Sequence, residues 1–264
     1  MLTTWAVDAR HLTLASEFVR RELRNRFSAS FSGGLWALIQ PVVQLAVYSL
    51  VFVHVFKARL PGADAPGFVP FLVTALWPWT AFSEALLRSV TAIHDNAGLI
   101  GKVALPRWVL VFAPTCASFL VHGTGFVAIV IALRLLGYDV RLGGLLSSLL
   151  LFVPMFALVF GLASILAAAQ VFVRDLAQVL GQLLLLLMFA APIFYARESI
   201  PEQYRGWLDL NPFTFYAESF RSLLLGYGHI EVAPSLAAIA LALVVLVVGV
   251  AVFRRLDRHF EDFL

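Results

Sequence analysis

The sequence predicts an all-α membrane protein that crosses the bilayer six times. Of its 264 residues, 61% are hydrophobic and only 13% are charged, whereas a typical soluble domain is about 45–50% apolar and about 25% charged. Six stretches are also long and apolar enough to cross the hydrocarbon core, which takes about 20 residues as a helix. This composition excludes a water-soluble enzyme and a disordered chain, and the single cysteine, Cys116, excludes an intramolecular disulfide scaffold.

The spans divide the chain into segments whose basic residues set the orientation. Lys and Arg concentrate in the short cytoplasmic loops of membrane proteins. If the N-terminus is cytoplasmic, twelve of the 19 Lys and Arg residues fall on the inner side, so both termini are predicted to be cytoplasmic. We assign these charges to the membrane surface and not to a nucleic acid. The predicted spans are 34–56, 68–93, 109–136, 145–172, 179–195 and 232–253.

No linker or internal repeat divides the chain, so we predict one transmembrane domain over residues 1–264. No soluble domain of useful size is present, and the function is therefore expected in the membrane part. The predicted parts are a cytoplasmic interface helix in 1–33, five spans in 34–195, an outer segment in 196–231, the sixth span in 232–253 and a cytoplasmic tail in 254–264.

The N-terminal segment has the pattern of a helix that lies on the membrane. Its apolar residues are spaced by three or four positions, which places them on one helical face. Arginines occupy other faces and suit anionic lipid headgroups. The segment is either a topology anchor or a docking surface for a cytoplasmic partner. The apolar stripe is Leu12, Ala15, Val19, Leu23 and Phe27, and the arginines include Arg20, Arg21 and Arg24.

The outer segment between Ser199 and Gly226 carries signals for two short helices. Ser199 and Glu202 have the spacing of a capping box, Asn211 before a proline is typical of a helix start, and Gly226 is a typical helix end. Two amphipathic helices that dip into the outer leaflet are predicted, as either an aromatic belt or a gate. The other marked residues are Pro201, Tyr204, Trp207, Pro212, Phe215 and Tyr216.

The sequence contains no motif for catalysis or cofactor binding. A G-x-x-x-x-G-K-[ST] phosphate loop and a G-x-S-x-G nucleophile motif are both absent, and the six histidines are scattered without metal-ligand spacing. We therefore expect no cofactor on this chain, no nucleotide hydrolysis by it and no enzymatic role.

Glu84 is the one carboxylate clearly inside a predicted span. Glu84 and Arg88 have the favourable i, i+4 order of a helical ion pair, which predicts a structural pair. The alternative is that Glu84 faces a polar substrate path, since intramembrane charge often marks function. His122, in the third span, is interpreted as a core histidine, with a proton relay as the alternative.

Aromatic residues are abundant on the first, second and fifth spans. Aromatic rings stack on the apolar faces of sugars, so a sugar polymer can slide past them without fixed hydrogen bonds. Lipid-facing and interfacial aromatics are the alternative, because they are common in membrane proteins. The candidate pathway residues are Tyr48, Phe52, Trp77, Trp79, Phe82, Phe189, Phe194 and Tyr195.

An ordered set of short motifs resembles the membrane permease of type-2 ATP-binding-cassette polysaccharide exporters, which export O-antigen, teichoic acid or capsular chains. Each piece is short, but together they cover nearly the whole chain in order. They are Arg21-Glu22-Leu23, Arg26-Phe27, Ser30, Gly34, Trp36, Pro41, Val47-Tyr48, Val51-Phe52, Asn96, Leu99-Ile100, Lys102, Pro106-Arg107, Arg174-Asp175, Pro192-Ile193-Phe194-Tyr195, Pro201 and Leu210-Asn211-Pro212.

The resemblance implies a homodimer of permeases with two cytoplasmic ATPase subunits that bind the ATP and magnesium. It implies export of a polysaccharide, either lipid-linked or free, across a bacterial cytoplasmic membrane. It also implies that the outer segment holds two gate helices, and that the interface helix and an inner coupling segment contact the ATPase. The implied coupling residues are Asn96, Leu99, Ile100, Lys102, Pro106 and Arg107, with Arg20, Arg21 and Arg24. A drug or lipid permease, a secondary transporter and an intramembrane glycan-processing enzyme are the alternatives.

Overall fold

In the computed structural model, residues 9–28, 35–55, 67–100, 102 and 105–264 are described, and their regular secondary structure is entirely helical. Ser30 and the start of the first predicted span lie outside these ranges. The helices are α1 (Ala9–Ser28), α2 (Leu35–Ser49, continued by a π-helical stretch Leu50–Val55), α3 (Phe68–Val90), α4 (Ala92–Asp95), α5 (Trp108–Leu135), α6 (Leu145–Phe172), α7 (Leu176–Ala190), α8 (Glu202–Leu208), α9 (Thr214–Leu225), α10 (Val232–Leu256) and α11 (Phe260–Phe263).

Three helical segments among the described residues are long and apolar enough to cross a membrane. They are Trp108–Leu135, Leu142–Phe172 and Val232–Phe263, and they coincide with the third, fourth and sixth predicted spans. The chain is therefore a membrane protein. Helix α3, at 23 residues, has a length of about 34 Å, while α7 is an apolar helix of 15 residues.

The prediction for the fifth span was wrong at its end. Helix α7 stops at Ala190, and residues 191–196 are irregular, whereas the sequence predicted a span that continues to Tyr195. The cause is Pro192, because a proline lacks the N–H that continues a helix and restricts the residue before it. Helix α7 begins at Leu176, three residues before the predicted start of the fifth span.

Helix α3 is central in the packing, because it contacts α2, α5, α6, α7 and α9. Its rings of Phe71, Trp77 and Phe82 are buried, and the indole Nε1 of Trp77 donates to the backbone carbonyl of His122 on α5 at 3.0 Å. Because α3 contacts so many helices, its polar side chains lie close to several of them.

Helices α6 and α10 approach each other closely at two glycines. A Cβ atom on Gly249 would lie 2.2 Å from the carbonyl oxygen of Gly161, so no other residue fits at this crossing without moving the helices apart. Small residues at such crossings let membrane helices pack backbone to backbone. This contact ties the last span to α6.

Helix α1 lies along α5, with the predicted stripe facing it in part. Ala15 and Val19 are buried, but Leu12 is 57% exposed, so the stripe begins one turn later than predicted. The prediction of a helix in this segment is confirmed.

Two short helices follow α7, but their starts differ from the prediction. Ser199 lies in a 3₁₀ turn and does not cap α8, which begins after Pro201, so the capping-box prediction was wrong. Helix α9 begins at Thr214, three residues after Asn211, and the Asn211 side-chain oxygen accepts the N–H of Phe213 at 3.0 Å in the turn that leads into the helix. Gly226 ends α9 with a left-handed φ of 64°, as predicted.

Candidate functional site

Five charged or titratable side chains from three helices form a cluster that we call the Glu84 network. Its members are Glu22 and Arg26 on α1, Glu84 and Arg88 on α3, and His122 on α5. The Glu84 carboxylate accepts hydrogen bonds from Arg26 Nη2 at 2.8–2.9 Å, Arg88 Nε at 2.8 Å and His122 Nε2 at 2.6 Å. Arg88 Nη1 also donates to Glu22 at 3.0 Å.

The Glu84 network is buried on one side and partly exposed on the other. The side chains of Arg26 and His122 are 9% and 1% exposed, whereas those of Glu84, Glu22 and Arg88 are 26%, 25% and 37% exposed. A buried charge such as that of Arg26 is tolerated only when it is paired and hydrogen-bonded. Arg26 Nη1 and His122 Nδ1 are buried without a hydrogen-bond partner among the described residues. The predicted Glu84–Arg88 pair is confirmed, but it also joins α1 to α3 and α5.

The predicted coupling segment, residues 96–107, lies between α4 and α5. It contains a 3₁₀ turn at Ala97–Leu99, and its residues 101, 103 and 104 lie outside the described residues. Asn96 donates to the carbonyl of Ala92 at 2.8 Å and accepts from Arg21 of α1 at 2.9 Å, so the segment and α1 are bonded together. A polar cavity of about 440 Å³ lies between them, lined partly by Asn25, Arg88 and Asp95.

The basic residues assigned to coupling have different surroundings. Lys102 is exposed. Arg107 donates to the backbone carbonyl of Asp257 and to the carboxylate of Glu261, so it joins the segment to the C-terminal tail.

The other coupling candidates line the same end of the bundle. Arg20 forms an exposed pair with Glu17 at 3.9 Å, and the Arg21 guanidinium lies 4.3 Å from the ring centre of Phe18. Arg24 is exposed, whereas Leu99, Ile100 and Pro106 are partly buried. This end of the molecule therefore presents basic groups from both α1 and the coupling segment.

The candidate pathway residues fall into two sets. Trp77, Trp79 and Phe82 are buried between helices, with at most 4% exposed, and Trp79 packs edge-on against Phe213 at 5.0 Å between ring centres. In this conformation these three rings fill the core of one chain.

The second aromatic set, which we call the aromatic patch, is centred on the buried ring of Phe194, which is 4% exposed, and reaches the surface at Phe189. Phe194 stacks on Phe52 at 5.2 Å and on Phe189 at 5.3 Å and meets Tyr48 edge-on at 5.0 Å between ring centres. Phe189 is 52% exposed, and Tyr195 donates its hydroxyl to the Phe189 carbonyl at 3.0 Å. The patch joins the end of α2 to the irregular segment after α7.

The outer segment is fastened to the end of α7 by two side chains, which we call the Arg221 clamp. Arg221 of α9 is 2% exposed, and its guanidinium donates to the carbonyls of Phe71 at 3.2 Å, Pro192, and Ile193 at 2.7 Å. Asn211 donates to the carbonyl of Leu187 at 2.8 Å.

A second arginine braces the surface of the outer segment. Arg197 forms a two-bond pair with Asp209, at 2.7 and 2.8 Å, and approaches Glu218 at 3.5 Å. Asp209 holds the pKa of Arg197 above its usual value. Burial raises the pKa of Glu218, and Arg197 opposes this effect.

The predicted gate residues lie on both faces of these helices. Tyr204 and Trp207 of α8 are 55% and 72% exposed, while Tyr216 of α9 is 1% exposed. Phe215 and Pro212 are partly buried. Helix α8 thus presents aromatic rings outward, as an amphipathic surface helix does, and α9 is packed into the bundle.

The sequence of the chain matches a known family of membrane proteins. The family model described as "ABC-2 type transporter" matches residues 14–225. The chain belongs to the ABC-2 type transporter family. The match begins within α1 and ends at α9, so the Glu84 network, the coupling segment and the Arg221 clamp all lie inside this ABC-2 region.

Relatives of this ABC-2 chain are similar over nearly their full lengths. An O-antigen export system permease protein, RfbA, from Klebsiella pneumoniae is 25% identical, with 92% of each chain covered. The RfbA protein of Myxococcus xanthus is 28% identical, with 94% of each covered. A polysialic acid transport protein, KpsM, from Escherichia coli is 27% identical, again with 94% of each covered.

Sequence reasoning missed three features that organise this ABC-2 chain: the pairing of Arg26 with Glu84, the pairing of His122 with Glu84, and the role of Arg221. Arg221 had a readable signal, because an arginine among the apolar and aromatic residues of α9 needs buried acceptors. Arg26 follows Glu22 by four positions, which places both on one side of α1. No local pattern links Arg26 or His122 to Glu84, because both are distant from Glu84 in sequence.

Proposed function

We propose that this chain is the membrane-spanning subunit of an ATP-driven exporter that moves a polysaccharide outward across the bacterial cytoplasmic membrane. The observation that carries the proposal is the end-to-end similarity to permeases and transport proteins named for O-antigen and polysialic acid. ATP and magnesium bind a separate ATPase subunit, and this chain supplies the path.

In this proposal the chain crosses the membrane six times, through α2, α3, α5, α6, α7 and α10, with both termini in the cytoplasm. The end that holds α1, the coupling segment and α11 faces the cytoplasm, which agrees with its many basic residues. Helices α8 and α9 lie at the outer face and act as the gate.

The coupling step uses the end that presents Lys102. Nucleotide binding closes the ATPase pair, which presses on the coupling segment and on α1. Because Asn96 bonds to Arg21, and Arg26 to Glu84, a displacement at this surface is transmitted to α3 and α5. The ATPase biases the spans only if it binds one arrangement better than the other.

The path is completed by a second copy of the chain. The apolar faces of α2 and α7 are exposed, with Val47 53% and Leu186 67% accessible, and they flank the aromatic patch. Two copies that meet near these faces would enclose the patch in a shared channel. Its stacked rings then suit the apolar faces of sugars, which need no fixed hydrogen bonds.

The polysaccharide, whether or not it carries a lipid, distinguishes this proposal from a drug or lipid permease of the same family. A secondary transporter is disfavoured by membership of the ABC-2 family. An acid–base role for Glu84 in glycan processing is disfavoured because Arg26, Arg88 and His122 already occupy its carboxylate.

Deletion of the gene from its host, with complementation by variants, tests both function and coupling. We expect surface polysaccharide to vanish on deletion and to return with the wild-type chain. Lys102→Glu should lower export about tenfold, because it reverses a charge at the proposed protein interface. Arg134→Glu, an exposed cation at the opposite end, is the matched control and should export normally.

The outcomes separate the two claims. Normal surface polysaccharide after deletion would refute the proposed function. Normal export by Lys102→Glu, with the same ATPase stimulation in proteoliposomes as the wild type, would refute the coupling surface and leave the cargo assignment intact.

A further inference from the structure

The segment between α7 and α8 leaves backbone carbonyls without helical partners inside an apolar surrounding. Residues 191–196 are irregular, and the backbone bonds near the break run from Ala191 N–H to Leu187 and from Ile193 N–H to Ala191. Non-helical backbone at membrane depth is tolerated only where protein groups satisfy it. The carbonyls of Pro192 and Ile193 therefore need donors from elsewhere.

Arg221 supplies those donors. Its guanidinium reaches the carbonyls of both Pro192 and Ile193, and its Nε reaches Phe71 of α3. The guanidinium carbon also lies 3.4 Å from the ring centre of Phe71, within range of a cation–π contact. One side chain thus fixes the break relative to α3.

The geometry of these contacts requires an arginine. A guanidinium is planar and presents several N–H donors in a rigid fork, whereas an ammonium is a single point charge on a flexible stem. A lysine at position 221 can reach one carbonyl but cannot also bridge the others and lie flat on Phe71. The contact therefore depends on the planar geometry of the guanidinium as well as on its positive charge.

The break positions the aromatic patch. Phe194 follows Ile193 directly, and its ring lies between those of Phe52 and Phe189. We propose that Arg221 is a positioning residue that fixes the 191–195 break and so holds Phe194 against α2. If the proposed function is right, Arg221 sets the shape of the sugar path at its outer end.

Crosslinking tests this position without reference to cargo. The reporter variant carries Phe52→Cys and Phe194→Cys in a Cys116→Ser background, so that a short bifunctional thiol reagent can join the two cysteines. The reference rate is the rate of crosslinking in this full chain in its native membranes. Arg221→Lys should slow crosslinking about tenfold, because it loses charge-assisted hydrogen bonds to the break. Arg221→Met should slow it further.

Arg205→Lys is the matched control. Arg205 lies in the same outer segment and donates to the carbonyls of Ile200 and Glu198, but it does not reach the 191–195 break. Its crosslinking rate should equal that of the reference. An equal loss in Arg205→Lys would mean that the outer segment is loosened generally, and it would overturn the assignment to Arg221.

A second variant keeps the proposal testable if both Arg221 variants fail to accumulate. Phe71→Leu removes the ring beneath the guanidinium and keeps the arginine, and it should slow crosslinking in the same direction by a smaller factor. An unchanged rate in folded Arg221→Lys, or in Phe71→Leu when the former is absent, refutes the positioning role. Surface polysaccharide measured in parallel then reports on the proposed function separately.

Discussion

The Glu84 network and the Arg221 clamp lie toward opposite ends of helix α3, and each holds a buried arginine. In the network, Arg26 is balanced by the charge of Glu84, which it shares with Arg88 and His122. In the clamp, Arg221 is held by neutral backbone carbonyls and an aromatic face. Arg26 thus contacts an opposite charge, whereas the groups that Arg221 contacts are backbone dipoles and an aromatic ring, with the charge of Glu218 as an additional influence.

The difference bears on how each region can move. In the network both groups of each bond belong to side chains, which can rotate about their torsions when α1 shifts. The clamp bonds to the backbone, whose carbonyls cannot turn without moving the chain. The first arrangement suits transmission of a displacement and the second suits a fixed position.

Neutralising Glu84 should give the largest effect. Glu84→Gln leaves the nearly buried charge of Arg26 without its main partner, and breaking a buried ion pair costs about 3–5 kcal/mol. We expect that loss in the free energy of unfolding, measured by titrating the purified chain with SDS in mixed micelles. Glu17→Gln on α1, whose pair with Arg20 is exposed, is the control and should change little.

Equal stability of Glu84→Gln and the wild type would mean that the network adds nothing through charge. The Glu84 network and the Arg221 clamp would then differ in geometry alone. The proposed transmission of a displacement from α1 to α3 would lose its physical basis.

Removing Asn211 from the clamp should have a smaller effect. Asn211→Ala deletes its bond to the Leu187 carbonyl and the turn bond to Phe213, but Leu187 still accepts the N–H of Ala191. Loss of neutral hydrogen bonds costs about 1–3 kcal/mol. The same SDS titration measures it, with the exposed Gln203→Ala on α8 as the control.

A loss for Asn211→Ala as large as that for Glu84→Gln would contradict the comparison, because neutral and ionic partners would then contribute alike. A loss confined to the crosslinking of the aromatic patch, with stability unchanged, would instead show that the clamp acts on position only.

Much of the fold could be predicted from the sequence because it rests on local patterns. The lengths of the apolar runs predicted α5, α6 and α10, and the spacing of apolar residues in the N-terminal segment predicted α1. The end of α7 was predicted wrongly, because the predicted span was extended past Pro192 to Tyr195 although a proline is a local signal for a helix end. These features depend on residues that are neighbours along the chain or on one helical face.

The sites were harder to predict from the sequence, because they join residues that are distant along the chain. Glu84 and Arg88 were predicted as a pair four residues apart, while Arg26 and His122 lie 58 and 38 residues from Glu84. Ser199 was predicted to cap α8 from its spacing alone, but Pro201 precedes that helix instead. Only the packing of α1, α3 and α5 decides which charges meet.

Disruption of the Arg197–Asp209 pair should have the smallest predicted effect, and it tests whether burial or ionic character sets the strength of a pair. It is an ionic pair, like those of Glu84, but its side chains are 31% and 55% exposed, and exposed pairs contribute about 0.2–1 kcal/mol. A double-mutant cycle with Arg197→Met and Asp209→Asn should give a coupling energy in this range. Because salt screens exposed charges more than buried ones, high salt should abolish this coupling and leave the effect of Glu84→Gln nearly unchanged. A coupling of about 3 kcal/mol that survives high salt would show that burial does not set the strength of these ion pairs, and it would contradict the contrast drawn with the Glu84 network.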